Sequence, residues 1–140
     1  DAACPQWLKF LDDVFEGDPD RIALLQEWFG YCLTTDTSLQ KALVQIGKAR
    51  SGKGTTQRIL QAIMGADNWT AFALPQLATE FGKAALESRQ VAFIGEVELS
   101  GHPQRVVIME QLKSIIGEDA VSINEKYEKA RSVKLPTRFT

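Results

Sequence analysis

Gly47-Lys48-Ala49-Arg50-Ser51-Gly52-Lys53 is the stretch that decides the fold, because it fits the pattern G-x-x-x-x-G-K. Glycines lack a Cβ, so several backbone N–H groups can turn toward one anion, and a following helix directs its positive end at the same point. The lysine adds a point charge for the β- and γ-phosphates of a nucleotide. The stretch therefore predicts a phosphate-binding loop, and an ordinary glycine turn is the alternative.

The residues on either side of this loop strengthen that interpretation. Residues 42–46 form a short apolar run that predicts a buried parallel strand, and residues 55–64 carry apolar side chains at helical spacing. The order strand, loop, helix, strand, helix is typical of a parallel α/β sheet. We therefore expect a P-loop NTPase fold, similar to the AAA+ type, with a helical N-terminal segment at 1–38 and a P-loop ATPase core at 39–140.

Helix and strand signals extend along the rest of the chain. Pro5 suits the first turn of a helix that continues to residue 15, and Asp18-Pro19 predicts the start of a second helix. Residues 75–81 and 106–116 predict further helices, the latter ended by Gly117. The remaining strands are expected at 91–94, 120–124 and 132–135.

The predicted ligands of the nucleotide lie in the loop and in the first turn of the next helix. Gly54 stands where the standard motif has a serine or threonine that reaches Mg²⁺, so Thr55 is the candidate for the metal. ATP and Mg²⁺ are the expected cofactors. The full predicted set is Gly47, Arg50, Ser51, Gly52, Lys53, Gly54, Thr55 and Thr56.

Two glutamates follow the apolar run at 91–94. Hydrolysis of a nucleoside triphosphate needs an acid near Mg²⁺ and a group that orients the attacking water. Glu96 and Glu98 lie two residues apart, so an extended backbone would turn both toward one site. We predict Lys53, Glu96 and Glu98 as catalytic residues and Glu96, with Thr55, as a metal ligand; two solvated carboxylates are the alternative.

Composition excludes several classes of protein. The net charge of −2 argues against a uniformly basic nucleic-acid binder, but residues 121–140 carry five bases and two acids, whereas residues 1–40 carry two bases and eight acids. No apolar run approaches the roughly 20 residues that span a bilayer. Two cysteines without metal-ligand spacing favour a reduced compartment, so a cytoplasmic location is expected.

The sequence resembles the superfamily 3 helicases, and more closely the C-terminal helicase domain of phage and plasmid primases, a group that includes poxvirus primase-helicase. The resemblance runs almost end to end and lies in blocks of fixed order. These blocks are the helical lead-in at 25–38, the Walker A loop at 45–55, the Walker B strand at 93–98, and the segments 112–119 and 124–129 that lead into a DNA-contacting hairpin.

This resemblance implies a hexameric ring that moves on single-stranded or forked DNA, with ATP bound between neighbouring subunits and a primase domain possible in the parent chain. It also implies that the cytoplasm in question is that of a bacterial or virus-infected host cell. The predicted DNA contacts are the hairpin residues Lys126, Tyr127, Lys129 and Arg131. Basic side chains contact the phosphates of DNA, and an aromatic ring can stack on a nucleobase. A sensor strand and an arginine finger are expected beyond Thr140, so we expect a fragment that binds nucleotide better than it hydrolyses it.

Two rival functions are open at this point. Residues 51–57 also resemble the loop of adenylate kinase, so a small nucleotide kinase is the enzyme alternative, although some forty residues precede the loop here. The second alternative is an assembly module that binds DNA and uses ATP only to stabilise a ring, without turnover. Arg89, Arg105 and Arg138 are available as an arginine finger, but none carries a motif.

Overall fold

The computed structural model of the chain describes residues 3–95, 97–124, 127 and 129–140 and shows a mixed α/β architecture with a small parallel sheet. Its helices are α1 (Pro5–Phe15), α2 (Pro19–Cys32), α3 (Lys53–Met64) and α4 (Arg105–Ile116). Its strands are β1 (Trp69–Ala71), β2 (Val91–Phe93), β3 (Val121–Ile123), β4 (Arg131–Val133) and β5 (Arg138–Phe139). Short 3₁₀ helices lie at Ala66–Asn68, Leu74–Ala78 and Gly82–Leu86. No helix in these described ranges is long and apolar enough to cross a membrane.

The parallel sheet has the order β1-β2-β5. Trp69 pairs with Val91, and Val91 pairs in turn with Arg138, so β2 is the central strand. Strands β3 and β4 form a separate antiparallel hairpin, with Val121 opposite Val133. The predicted strands at 91–94 and 120–124 are confirmed, each slightly shorter than expected, and the strand predicted at 132–135 is present but lies at Arg131–Val133.

Two apolar clusters cover the two faces of the sheet. Successive side chains of a strand point to opposite faces, and all three residues of β2 are buried. Val91 and Phe93 pack with residues of α1, α2 and α3, whereas Ala92 packs with α4, the hairpin and the 3₁₀ helices. The N-terminal helices and the helix after the loop thus share one cluster, which fixes their position relative to the loop.

The helix predictions from local signals are confirmed. Asp18 caps α2 by accepting hydrogen bonds from the backbone N–H groups of Asp20 and Arg21, at 3.1 and 3.2 Å. Gly117 ends α4 and donates its N–H to the Lys113 carbonyl at 2.8 Å. These ends depend on neighbouring residues alone, which is why the sequence predicts them.

Of the other predicted elements, the strand at 42–46 is wrong, and the helix at 75–81 is a shorter 3₁₀ helix at Leu74–Ala78. Residues 42–46 form no strand, because among the described residues one backbone bond, from Leu43 N–H to the Phe139 carbonyl at 3.0 Å, ties them to the edge of the sheet. Val44 and Ile46 are 72% and 92% exposed, so this run is not buried either. The helix expected at 75–81 stops at Ala78, where the Thr79 N–H and hydroxyl both donate to the Gln76 carbonyl.

Candidate functional site

The loop at residues 47–52 ends where α3 begins, and Gly52 makes the junction. Its φ of 88° lies in the left-handed region that favours glycine, and its carbonyl accepts hydrogen bonds from the N–H groups of Thr55 and Thr56 at 2.9 and 3.0 Å. A Cβ at this position would lie 2.8 Å from Val14 Cγ2 and 3.2 Å from Phe10 Cζ. The loop therefore rests directly on α1.

Lys53, the first residue of α3, turns its side chain back into the loop. Its Nζ donates hydrogen bonds to the carbonyls of Gly47 and Lys48 at 2.7 and 2.8 Å and contacts the Ser51 hydroxyl at 3.3 Å. Among the described residues, no carboxylate lies within ion-pair distance of this ammonium. A cation held only by neutral oxygens at a helix N-terminus is suited to an anionic ligand.

The two threonines of the first turn have different surroundings. Thr55 is half-buried, and its hydroxyl accepts a hydrogen bond from Arg58 Nη2 at 3.1 Å. The Thr56 hydroxyl is buried, donates to the Lys53 carbonyl at 2.7 Å and accepts from Gln45 Nε2 at 3.0 Å. Thr56 therefore ties α3 to the segment before the loop, which leaves Thr55 as the better placed of the two for a ligand.

Three cavities meet at Lys53. The outer chamber, about 820 Å³, lies between α1 and the loop and is walled by Asp13, Arg50, Thr55 and Arg58. The elbow chamber, about 530 Å³, lies between residues 43–47 and the bend that joins α1 to α2. The strand-end chamber, about 720 Å³, lies beyond the carboxyl ends of β2 and β5. Such volumes fall within the range of roughly 300–1,000 Å³ that is typical of small-molecule sites.

The acidic residues after β2 lead into the strand-end chamber. Glu98 lines it together with Lys53, so the structure brings these two predicted residues to one cavity. Hydrogen bonds from the Ser100 hydroxyl and backbone N–H, the latter at 2.7 Å, hold the pKa of Glu98 below its usual value. The carboxylate is thus ionised at neutral pH. Glu96, the other predicted catalytic acid, lies outside the described residues.

Strand β5 separates the acidic strand end from the segment before the loop. It lies between β2 and residues 42–46 and bonds to both. The sequence signal for β5 is weak because Arg138 and Phe139 form a strand of only two residues. Among the described residues, no group of three or more histidine, cysteine, aspartate or glutamate side chains could hold a metal ion by itself.

The predicted DNA contacts of the hairpin differ in exposure and in ion pairing. Tyr127 is fully exposed and Lys129 is exposed, at the turn between β3 and β4. Arg131 instead forms a bidentate ion pair with Glu87, with Nη2 and Oε2 2.7 Å apart. That arginine therefore shares its charge with a carboxylate of the same chain. Lys126 lies outside the described residues.

Arg138 is a residue whose role the sequence did not reveal. Its side chain is 2% exposed, its Nη2 donates to the carbonyls of Thr34 and Asp36, and its guanidinium lies 4.4 Å from the centre of the Tyr31 ring. It joins the sheet to the loop after α2, which leads into residues 42–46. This burial commits Arg138 to the interior of the chain rather than to a neighbouring subunit.

Comparison with known proteins supports the fold and assigns the family. No curated protein matches the chain. Two apo structures of the NrS-1 C-terminal region superpose on 99% of it, with TM-scores of 0.79 and 0.75 and 21% sequence identity. The chain spans about a third of the length of those solved chains, 33% in each case. The family model described as "Family of unknown function (DUF5906)" matches residues 45–140, so the chain belongs to that family.

Proposed function

We propose that this chain is the nucleotide-binding part of an ATP-driven DNA helicase of the superfamily 3, primase-helicase type, built on a P-loop NTPase fold. The observation that carries the proposal is the Lys53 ammonium, held by the loop carbonyls of Gly47 and Lys48 at the N-terminus of α3. A triphosphate offers charged oxygens that are stronger acceptors than these neutral carbonyls. Binding would therefore exchange the carbonyls for phosphate oxygens without any large movement of the side chain.

The described residues fit a magnesium–nucleotide complex. Gly52, at φ 88°, turns the backbone into α3, whose N-terminus supports negative charge. Thr55 supplies a hydroxyl beside Lys53, and Glu98 supplies an ionised carboxylate to the adjoining chamber. Magnesium, when bound, would neutralise charge that develops on the phosphates. Within this proposal Lys53 stabilises the same charge, and Glu96 and Glu98 divide the metal and water-orienting roles.

The proposed coupling to DNA rests on the hairpin. Tyr127 and Lys129 are exposed at its turn, where an aromatic ring and an ammonium would contact a nucleobase and a phosphate. The sequence resemblance supports a ring of subunits around the DNA. A hexamer and a linked primase domain are parts of the proposal that the resemblance alone supports.

ATP binding and turnover test this function directly. We expect the chain to bind ATP with Mg²⁺, and we expect any turnover to increase with single-stranded DNA. Lys53→Ala should weaken ATP binding at least tenfold, because it removes a charge that bonds directly to phosphate. Lys48→Ala is the matched control, since it removes an equal charge from an exposed side chain of the same loop.

The outcomes separate the rival functions. Turnover that ignores DNA but requires AMP would contradict the helicase and support a nucleotide kinase, in which the strand-end chamber would receive the acceptor. ATP binding without turnover, in a longer chain that includes the sensor strand and arginine finger expected beyond Thr140, would support the assembly module. Absence of ATP binding, in a protein shown to be folded, would refute the proposed function as a whole.

A further inference from the structure

The three chambers at Lys53 have walls of different chemistry, and this difference indicates which part of a nucleotide each would receive. Arg50, Arg58, Thr55 and Asp13 make the outer chamber strongly polar. The carboxylate of Glu98 stands in the strand-end chamber. The elbow chamber and the strand-end chamber both have mainly apolar walls, but among the described residues the elbow chamber has no acidic side chain. Its walls beyond the loop include Phe15, Leu24, Leu25 and the basic side chain of Arg21.

The elbow chamber is continuous with the phosphate loop. Gly47, Ser51, Gly52 and Lys53 form its inner end as well as the loop that the proposed function assigns to phosphates. A ligand whose phosphates lie on that loop therefore has its organic end within reach of the apolar walls. The volume of about 530 Å³ suits a small organic group, and Phe15 gives the chamber an aromatic wall.

Residues 44–46 line the chamber, and their backbone N–H and C=O groups are available for hydrogen bonds to a ligand. Leu43 donates to Phe139, but in the part of the chain that the structure describes, no backbone hydrogen bond involves residues 44–46. An extended segment in this state presents N–H and C=O groups along an edge. Nucleobases carry donors and acceptors along their own edges, so such a segment can bind one without a dedicated polar side chain.

We propose that the elbow chamber binds the nucleobase and ribose of the nucleotide, with Phe15 and Leu24 as its apolar walls and the backbone of residues 44–46 as its polar edge. This inference rests on the proposed function, because it takes the phosphates to lie on the loop at 47–53. The bend between α1 and α2 lies outside the G-x-x-x-x-G-K pattern, and this proposal gives it a role in nucleotide binding.

The test compares ATP with inorganic tripolyphosphate, which carries the phosphates but no base or sugar. Leu24→Gln keeps the size and helix propensity of the side chain but makes the wall polar. We expect it to weaken ATP binding about fivefold to tenfold, as the loss of one apolar contact predicts, and to leave tripolyphosphate binding unchanged. Leu8→Gln is the matched control, because Leu8 is 52% exposed on α1, Leu24 is 59% exposed on α2, and Leu8 lines none of the three chambers.

A second variant tests the aromatic wall separately. Phe15→Leu retains an apolar side chain but removes the ring, so it should reduce the preference for ATP over tripolyphosphate. Circular dichroism and urea unfolding of each variant establish that the fold is retained before binding is compared. Competition by adenosine, which lacks phosphates, should be weak in the wild type and weaker still in Leu24→Gln.

The outcomes of this test are distinct from those of the proposed function. Equal affinity of the wild type for ATP and tripolyphosphate, or unchanged ATP binding in both variants, would overturn the nucleobase assignment and leave the phosphate loop intact. Failure of the folded wild type to bind either ligand would instead overturn the proposed function. Parallel loss of ATP and tripolyphosphate binding in Leu24→Gln would show a general disturbance of the loop, which also contradicts the assignment.

Discussion

Gly52→Ala should be strongly destabilising, because two independent costs meet at this residue. An alanine at φ 88° adopts a left-handed conformation that costs about 1–2 kcal/mol. Its Cβ would also lie 2.8 Å from Val14 Cγ2 and 3.2 Å from Phe10 Cζ, and overpacking of this kind costs typically about 1–3 kcal/mol. The free energy of unfolding should therefore fall by roughly 2–5 kcal/mol.

Two other glycines separate these costs. Gly101 has a comparable φ of 71° and nothing within 4 Å of a built Cβ, so Gly101→Ala should show the backbone cost alone, about 1–2 kcal/mol. Gly54 lies in α3 without a positive φ, and its Cβ would meet only the flexible end of Arg58 at 3.4 Å. Gly54→Ala should therefore stabilise the chain by up to about 1 kcal/mol through helix propensity.

Urea unfolding of the single variants, and of Gly52→Ala combined with Val14→Ala, measures these contributions. Val14→Ala creates space beside the loop, so it should recover the steric part of the Gly52→Ala loss and leave the backbone part. A Gly52→Ala loss no larger than that of Gly101→Ala would refute the contact between the loop and α1. Strictly additive effects of Gly52→Ala and Val14→Ala would refute it as well.

Three further predictions concern other parts of the chain. Burial raises the pKa of Cys32 to about 12 whereas Cys4 is exposed, so a thiol reagent should label one cysteine in the native chain and two in urea; two in the native chain would contradict this. Hydrogen bonding to Lys134, at 2.7 Å, holds the pKa of Glu118 below its ordinary 4.5, so Glu118→Gln should lower the free energy of unfolding at pH 7. The difference in stability between wild type and variant should vanish as the pH falls through the folded-state pKa, and an equal loss at pH 3 would contradict this linkage. Lys129→Ala should weaken binding to single-stranded DNA, measured by fluorescence anisotropy, and should reduce the slope of log affinity against log salt concentration by about one. An unchanged slope would count against the hairpin as a DNA contact.

Local signals account for what the sequence predicted well. The Asp18 cap, the proline after it and the glycine after α4 each act on the residues beside them, so one sequence is enough to place the helix ends. The same holds for the loop, whose pattern places Lys53 and Gly52 within seven residues of Gly47. The hairpin β3–β4 was predicted for a related reason, since its strands are close in sequence.

Contacts between distant residues account for what the sequence did not predict. Strand β5 exists because Arg138 and Phe139 pair with Val91 and Ala92, which lie more than forty residues earlier. A run of two residues is too short to show the periodic pattern that predicts a strand. The 42–46 run was expected to be buried because it is apolar. Burial of such a run requires neighbours on both sides, and here the single bond to Phe139 supplies one.

The site divides along the same line between local and distant contacts. The anion binding that we propose for the loop depends on local contacts, because Lys53 and Gly52 act on groups a few residues away. The walls of the chambers come from elsewhere: Val14 touches Gly52 across nearly forty residues, and Glu98 reaches the strand-end chamber from the far side of β5. Substitutions in the loop should therefore affect any phosphate ligand alike, whereas substitutions in α1 and α2 should change how one ligand is distinguished from another. If Gly52→Ala weakens ATP and tripolyphosphate equally while Leu24→Gln weakens ATP alone, then phosphate binding and base recognition are properties of different parts of the fold.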